Sequence, residues 1–503
     1  MSSQIDCSAS NRQNLSGQTE LELTFRDPAG QLRLTQDHAL RRIHPAAAED
    51  TLAFLDSPLR AALERSGDLV CTQIAQIAQI APSADDSATE SGMPGELWLQ
   101  HPRIHPISYP WEWNTAQWLA AADLTLRIAD QAIDAGWMLK DATPLNVLFV
   151  GSRPVLVDVL SLERRDPRST VWPAYGQFVR TFLLPLLAEK YLKWSLQATI
   201  FARDGYEPRT IYRALDPWQR LYPDLIDVVT LATLFEKPGA AAKKSVQPRA
   251  SSVSDPELAA HILHKRLARL GKQVRRAART GKSTEWKDYQ QTASHYRSTD
   301  TQEKQAFIEK VMESFRPKHV LDIGANTGTY SIIAARAGAE VVALDNDAGA
   351  LETLGQAAQQ GGHRVSTLVA NIARPTPASG WRNREQFSLL QRLTGKFDMV
   401  LMLAVIHHLI LREQIPLPHI ADLCAGLTTR WMVVEWVPPS DPMFQEWLRG
   451  RDHLYGNLSE DDLHKAFGPF FHVLDRTVLG NGRVLLLLER NTLDESNARV
   501  SPA

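Results

Sequence analysis

Cysteine is scarce in this chain. There are three in 503 residues, Cys7, Cys71 and Cys424, odd in number and scattered, with no Cys-x-x-Cys pair. That usage argues against a disulfide framework and a structural zinc site, and points to a reducing cytoplasm. Long hydrophobic runs are missing too. A bilayer span needs roughly 20 apolar residues, and the longest candidate, residues 484–488, is the length of a strand. The N-terminus is polar (Ser2, Gln4, Asp6, Asn11, Arg12), so no secretory signal is expected. Neither sign of charge is in excess. Lys plus Arg number 55 and Asp plus Glu 57, a formal net charge of −2, which makes no global case for nucleic acid or for an acidic partner. The length fits two to four domains at roughly 150 residues each.

What is present is concentrated around residue 324. The run Val320-Leu321-Asp322-Ile323 leads into Gly324-Ala325-Asn326-Thr327-Gly328. A predicted helix over 329–337 follows, then a second apolar strand ending in Asp345. An apolar strand ending in an acid, a Gly-rich turn, a helix and a second strand ending in an acid form a nucleotide-type site at the carboxyl edge of a parallel sheet. Glycine lets backbone approach a ligand closely. The second acid is placed to accept hydrogen bonds from the two hydroxyls of a ribose. The spacing is Gly-x-x-x-Gly preceded by Asp-x, not the Gly-x-Gly-x-x-Gly of dinucleotide sites. Strand and helix alternate to about residue 440, which calls for a parallel sheet. Residues 470–475 and 483–488 then flank Gly480-Asn481-Gly482, an antiparallel hairpin signal.

This pattern resembles the class I S-adenosylmethionine-dependent methyltransferases. The resemblance covers about residues 296–490. It implies an α/β Rossmann-like sheet, mostly parallel with one antiparallel strand near the C-terminus, and S-adenosyl-L-methionine as cofactor. It also implies roles. Asp322 holds the methionine end of the cofactor, Gly324, Ala325, Asn326 and Gly328 form its cradle, Asp345 grips the ribose, and Asn371 meets the adenine amino group. His407 and His408 follow the fourth strand, beside the transferred methyl. One of them is a candidate general base, since histidine titrates near working pH; the alternative is a pair that caps or packs the next helix. Glu435 ends the fifth strand and either orients the acceptor or is a partly solvated strand end. No Asn-Pro-Pro-Tyr/Phe follows strand four and no Pro-Cys nucleophile is present, against methylation of flipped bases. No acid cluster commits this site to a metal. The expected acceptor is a small molecule or glycan-like compound, methylated on oxygen or nitrogen. Cys424 is expected in a helix core.

The first half reads as α+β. Residues 21–25 and 31–34 flank Asp27-Pro28-Ala29-Gly30 as a hairpin. A single helix is expected over 47–65, an Ile-Ala-Gln repeat at 74–80, a flexible loop over 82–95, and a helix over 115–135 whose apolar residues share one face. A second hairpin is expected at 147–157. Asp141, Asn146 five residues on, and Asp158 after that hairpin resemble the catalytic and metal-binding segments of kinase-like folds. Leu139 stands where that family has His, Asp158-Val159-Leu160 replaces Asp-Phe-Gly, and residues 21–45 hold no Gly-rich phosphate loop. No strand lysine is visible, so Arg41 or Arg42 has to substitute. The resemblance therefore implies a pseudokinase-like domain whose three metal-type positions are degenerate.

A basic amphipathic helix is expected near 256–280, with Leu263, Leu267, Leu270, Val274 and Ala277 on one stripe and Lys or Arg filling other positions. The stripe docks on a domain, or the 262–282 segment meets a membrane surface or nucleic acid. The expected division is a tail over 1–18, a kinase-like domain over 19–245, a linker with the basic helix over 246–295, the methyltransferase domain over 296–490 and a tail over 491–503. Asp300 is expected to cap the helix before the Gly-rich motif, with Glu303 completing the box. The combination is similar to bacterial two-part proteins of the nodulation-type methyltransferase group. The competing readings are a non-catalytic two-domain scaffold and an RNA methyltransferase using the basic helix.

Overall fold

The computed structural model describes residues 20–22, 28–35, 37–75, 97–236, 252–279, 298–448 and 450–491. The tail over 1–18, the loop over 82–95, residues 246–251 and 280–295 of the expected linker and 492–503 of the expected C-terminal tail fall outside those residues. The chain divides into two compact units, Met1–Gly281 with Gly380–Gln386, and Lys282–Ser379 with Phe387–Ala503.

The first unit opens on an antiparallel sheet of five strands in the order β1-β2-β3-β5-β4. These are β1 (Glu20–Glu22), β2 (Gly30–Leu34), β3 (His38–Ile43), β4 (Gln73–Ile74) and β5 (Leu97–Pro102). The helix expected over 47–65 is two helices, α1 (Pro45–Leu55) and α2 (Pro58–Ser66). Pro58 cannot donate to a continuing helix and disfavours helical geometry at Ser57. Ser57 is extended instead, and its hydroxyl caps α2 by accepting from the Arg60 N–H. The long helix α3 (Thr115–Asp134) starts at a capping box of Asn114 and Gln117 and buries Trp118, Leu124, Ile128 and Ile133. Two small antiparallel pairs follow: β6 (Trp137–Leu139) with β9 (Leu162–Arg164), and β7 (Val147–Val150) with β8 (Arg153–Leu156).

The basic helix is α4 (Pro256–Ala277). Its stripe of Leu263, Leu267, Leu270, Val274 and Ala277 is buried in the same core as α3. Much of its charge is used there too. Arg275 pairs with Asp123 at 2.8 Å, Arg269 with Asp227, and Arg266 donates to the Thr170 carbonyl at 3.0 Å. Cys71 is disulfide-bonded, which corrects the expectation of unbridged cysteines. No helix among the described residues is long and apolar enough to cross a membrane.

The second unit is built on a seven-stranded sheet in the order β12-β11-β10-β13-β14-β16-β15. Its strands, with the three helices that bear on the site, are α5 (Ser298–Phe315), β10 (His319–Ile323), α6 (Thr329–Arg336), β11 (Glu340–Asp345), β12 (Val365–Val369), β13 (Phe397–Met402), α7 (Ile406–Leu411), β14 (Thr428–Trp436), β15 (Phe471–Val478) and β16 (Val484–Arg490). Neighbours from β12 to β14 are parallel, and β16 runs antiparallel to both β14 and β15. Successive strand side chains point to opposite faces. Leu321, Val400, Met432 and Leu486 accordingly lie in one core, and Val320, Met399, Val433 and Leu487 in the other. Cys424 is fully buried in the helix Leu417–Leu427, as expected. Asp300 lies inside the first turn of α5 rather than before it, so the expected cap is displaced.

Candidate active site

Asp322, near the end of β10, is buried and accepts a hydrogen bond from the Ser331 hydroxyl at 2.6 Å. Loss of water around it pushes its pKa up to about 6, the Ser331 hydrogen bond and the Lys304 charge pulling back and Asp345 adding to the rise. The chain then turns sharply. Gly324 and Gly328 have φ of +76° and +83°, and a Cβ on Gly328 meets Leu354 Cδ1 at 2.1 Å. Asn326 also takes positive φ, +50°, a conformation that asparagine tolerates better than most residues. Its backbone N–H donates to Asp345 Oδ2 at 2.8 Å, while Asp345 Oδ1 accepts from the Asp347 N–H at 2.9 Å. The turn is thus fastened to the end of β11. Burial raises the pKa of Asp345 above the ordinary carboxylate value. Asn371 follows β12, and its side-chain oxygen accepts from the Ala373 N–H at 2.8 Å.

The fold therefore brings Asp322, Gly324, Ala325, Asn326, Gly328 and Asp345 to one edge of the sheet. Their chemistry fits S-adenosylmethionine. The Asn326 side-chain oxygen is buried without a hydrogen-bond partner, an acceptor that a ligand amine or hydroxyl can satisfy. Asp345 keeps acceptor capacity beyond the Asn326, Asp347 and Asn346 N–H groups that bear on it, since a carboxylate offers about four acceptor sites.

His407 and His408 open α7. The two rings lie 4.4 Å apart, and both meet Trp447, at 5.6 Å stacked for His407 and 3.9 Å edge-on for His408. His407 is buried and its Nδ1 has no hydrogen-bond partner. Desolvation first, then the Arg483 and Lys304 charges, lower its pKa to about 3. Desolvation and the neighbouring His407 take His408 down to about 2. Burial thus favours the neutral form of both rings, and the unpartnered His407 Nδ1 is available to accept a hydrogen bond.

Glu435 is 0% exposed, not the partly solvated strand end that the sequence allowed. One carboxylate oxygen contacts the Lys304 ammonium and the other lies 3.3 Å from Arg483 Nη1. Arg483 also pairs with Asp441 at 2.8 Å. Lys304, Arg483, Asp441, Ser331 and Trp447 were not singled out from the sequence. Only Ser331, seven residues after Gly324, stands near a motif that could have flagged it.

In the first unit, Asp141, Asn146 and Asp158 are occupied by protein partners. The Gln177 amide donates to Asp141 Oδ1 at 2.5 Å. The Asn146 amide donates to the Ser161 hydroxyl at 3.0 Å, and that hydroxyl donates to Asp158 Oδ2 at 2.6 Å. Asp158 Oδ1 accepts from the Leu160 N–H at 3.1 Å and is ion-paired with Arg41 of β3. No group of three or more His, Cys, Asp or Glu among the described residues is arranged to hold a metal ion.

Residues 321–425 match the family model described as a methyltransferase domain. Along nearly its whole length the chain is similar to the nodulation protein NoeA of Rhizobium meliloti (strain 1021), 26% identical over 476 residues, covering 93% of this chain and 95% of that protein. Solved structures similar in part include magnesium protoporphyrin IX methyltransferase from Synechocystis PCC 6803 with bound S-adenosylmethionine, at 19% identity, 38% of this chain, 80% of that chain and TM-score 0.28. The N-methyltransferase NodS from Bradyrhizobium japonicum WM9 is similar at 14% identity, 39% of this chain, 97% of that chain and TM-score 0.28. The bifunctional kinase-methyltransferase WbdD is similar at 16% identity, 38% of this chain, 40% of that chain and TM-score 0.28.

Proposed function

We propose that this chain methylates a small-molecule or glycan-like acceptor on oxygen or nitrogen, and that its first unit is a kinase-like module that binds the acceptor or serves as a scaffold. S-adenosylmethionine is the cofactor of the methyltransferase domain. When bound, it supplies an electrophilic methyl group. The observation that carries the reading is the Asn326–Asp345 hydrogen bond, which fastens the Gly-rich turn to the acid at the end of β11.

In this reading Asp322 faces the methionine end, Asp345 accepts from the ribose hydroxyls and Asn371 lies beside the adenine. His407 offers its unpartnered Nδ1 to a hydroxyl or amine of the acceptor. With its pKa near 3, this ring orients the acceptor rather than storing its proton, because efficient general bases titrate close to the operating pH. Catalysis then rests mainly on holding the two reactants in line and excluding water. Glu435 acts through Lys304 and Arg483.

The kinase-like reading of the first unit draws support from the antiparallel sheet, the long helix α3 and the positions of Asp141, Asn146 and Asp158. The Arg41–Asp158 pair sets its limit. A cation of the chain itself sits on the acid that a nucleotide-bound metal needs, so the module does not turn over ATP. The similarity to NoeA spans 93% of this chain, which supports reading both units as parts of one working protein.

The test is incubation of the full chain with methyl-labelled S-adenosylmethionine and a cell extract. Label appearing in a small molecule or glycan supports the proposal. Label appearing only in RNA favours the RNA methyltransferase alternative, and no labelled product in any fraction favours the scaffold.

A further inference from the structure

Four buried charges in the second unit, Lys304, Glu435, Arg483 and Asp441, are joined in one network. Burying ions is costly, and apolar replacements of similar volume are often as stable or more so. Stability alone therefore gives no reason for the network.

Its position gives one. Asp322 and Glu435 follow the same strand parity as Val320 and Val433. That parity faces α5, whose Phe307, Ile308, Val311 and Met312 pack into the same core as those two valines. The two acids stand on β10 and β14, with β13 between them; Asp322 is level with Val433 and Glu435 lies two residues further along, a separation of roughly 12 Å. Lys304 lies on α5 about one turn before Ile308 and is 4% exposed. Its ammonium contacts Glu435 and lies 4.8 Å from the centre of the Tyr330 ring. Tyr330 is the second residue after Gly328 and precedes Ser331, the residue that donates to Asp322.

We propose that Lys304 is a positioning residue for cofactor binding: its ammonium ties the start of α6 to the end of β14 and provides the nearby positive charge for the Asp322 carboxylate. This rests on the reading of Asp322 as the group at the methionine end of the cofactor. The charged and hydrogen-bonding groups that act on Asp322 are the Ser331 hydroxyl of α6, the Asp345 carboxylate of β11 and the Lys304 ammonium of α5. Burial and Asp345 favour the protonated acid, whereas Ser331 and Lys304 favour the carboxylate. Without Lys304 the acid stays protonated to higher pH and loses an acceptor for the cofactor's methionine end.

Calorimetric titration of the full chain with S-adenosylhomocysteine across a pH series tests this. For the wild type, affinity should rise as pH passes about 6. In Lys304→Met the rise should move to higher pH, so that affinity near pH 6 falls several-fold, and Lys304→Arg should restore the wild-type profile. Lys304→Met leaves Glu435 short of one partner, so the double variant Lys304→Met/Glu435→Gln, in which Arg483 still faces Asp441, guards against a folding defect and should show the same upward shift. Wild-type binding with an unchanged profile in both folded variants overturns the proposal alone. No binding by the wild type at any pH overturns the cofactor reading, and the proposal with it.

Discussion

Asp345 is the residue on which the ribose reading depends most. Replacing it with alanine removes the charged acceptor for two hydroxyls and also releases the Asn326 and Asp347 N–H groups that it now satisfies. Affinity for S-adenosylmethionine should fall by roughly 1.5–3 kcal/mol, read by calorimetry, and unchanged affinity in a folded Asp345→Ala variant would remove the assignment. His407 makes a different prediction. Its pKa is lowered on folding, from the ordinary 6.5 to about 3, because burial favours the neutral ring. A group depressed in this way contributes stability above its unfolded pKa and loses it as pH falls from about 6.5 toward the folded value. The second unit should therefore weaken in mild acid, and His407→Phe should reduce the pH slope of unfolding by about one proton. An unaltered slope in that variant would mean that the ring is hydrated and titrates normally. These residues differ in how far the sequence revealed them. Asp322, Gly324, Gly328 and Asp345 were legible because a tight turn between two strands restricts residue type at fixed spacing. Lys304 was not, because it reaches Glu435 across 131 positions of sequence, and one lysine in a charged helix carries no local signal.

At the scale of elements, periodicity was a good guide and breaks in it were not. The alternation of strand and helix from β10 to β14 and the hairpin of β15 and β16 were legible from apolar runs and from Gly480-Asn481-Gly482. The division between α1 and α2 was missed because the apolar pattern continues across Pro58, although proline alone signals the stop. For α4 the stripe was visible but the partners of its charges were not. The packing of α4 on α3 includes one titratable clamp. His264 Nδ1 lies 2.6 Å from Asp130 and its Nε2 2.9 Å from Asp134, two carboxylates one turn apart on α3. Burial alone lowers the His264 pKa, but the two carboxylates outweigh it and the net shift is upward. The sign is then opposite to that of His407. The clamp contributes below the unfolded pKa of about 6.5 and is lost as pH rises through the folded value. Hydrogen exchange of α4 should become faster as pH rises through this range, after correction for intrinsic rates, and His264→Gln should abolish that dependence. A pH-independent opening rate in the wild type would show that the ring is neutral between its two acids.

For the whole molecule, the proposed reading gives one unit a cofactor cradle fastened by the Asn326–Asp345 hydrogen bond and the other three kinase-type positions, Asp141, Asn146 and Asp158, engaged by protein partners. The full chain should therefore show no Mg²⁺-dependent ATP hydrolysis or phosphoryl transfer, since that chemistry depends on neutralising phosphate charge with correctly held cations and Arg41 already occupies Asp158. Turnover of ATP that disappears in Asp158→Asn would show that the Arg41 pair opens in solution. The missing strand lysine and the missing Gly-rich loop were legible in the sequence, but the closure of Asp158 on Arg41 and of Asp141 on Gln177 was not, because these partners are 117 and 36 positions away. The central claim is the cofactor, and the most direct measurement is calorimetric titration of the full chain with S-adenosylmethionine near neutral pH. The account predicts saturable one-to-one binding that Asp345→Ala weakens strongly; a folded wild-type chain that binds none would contradict it.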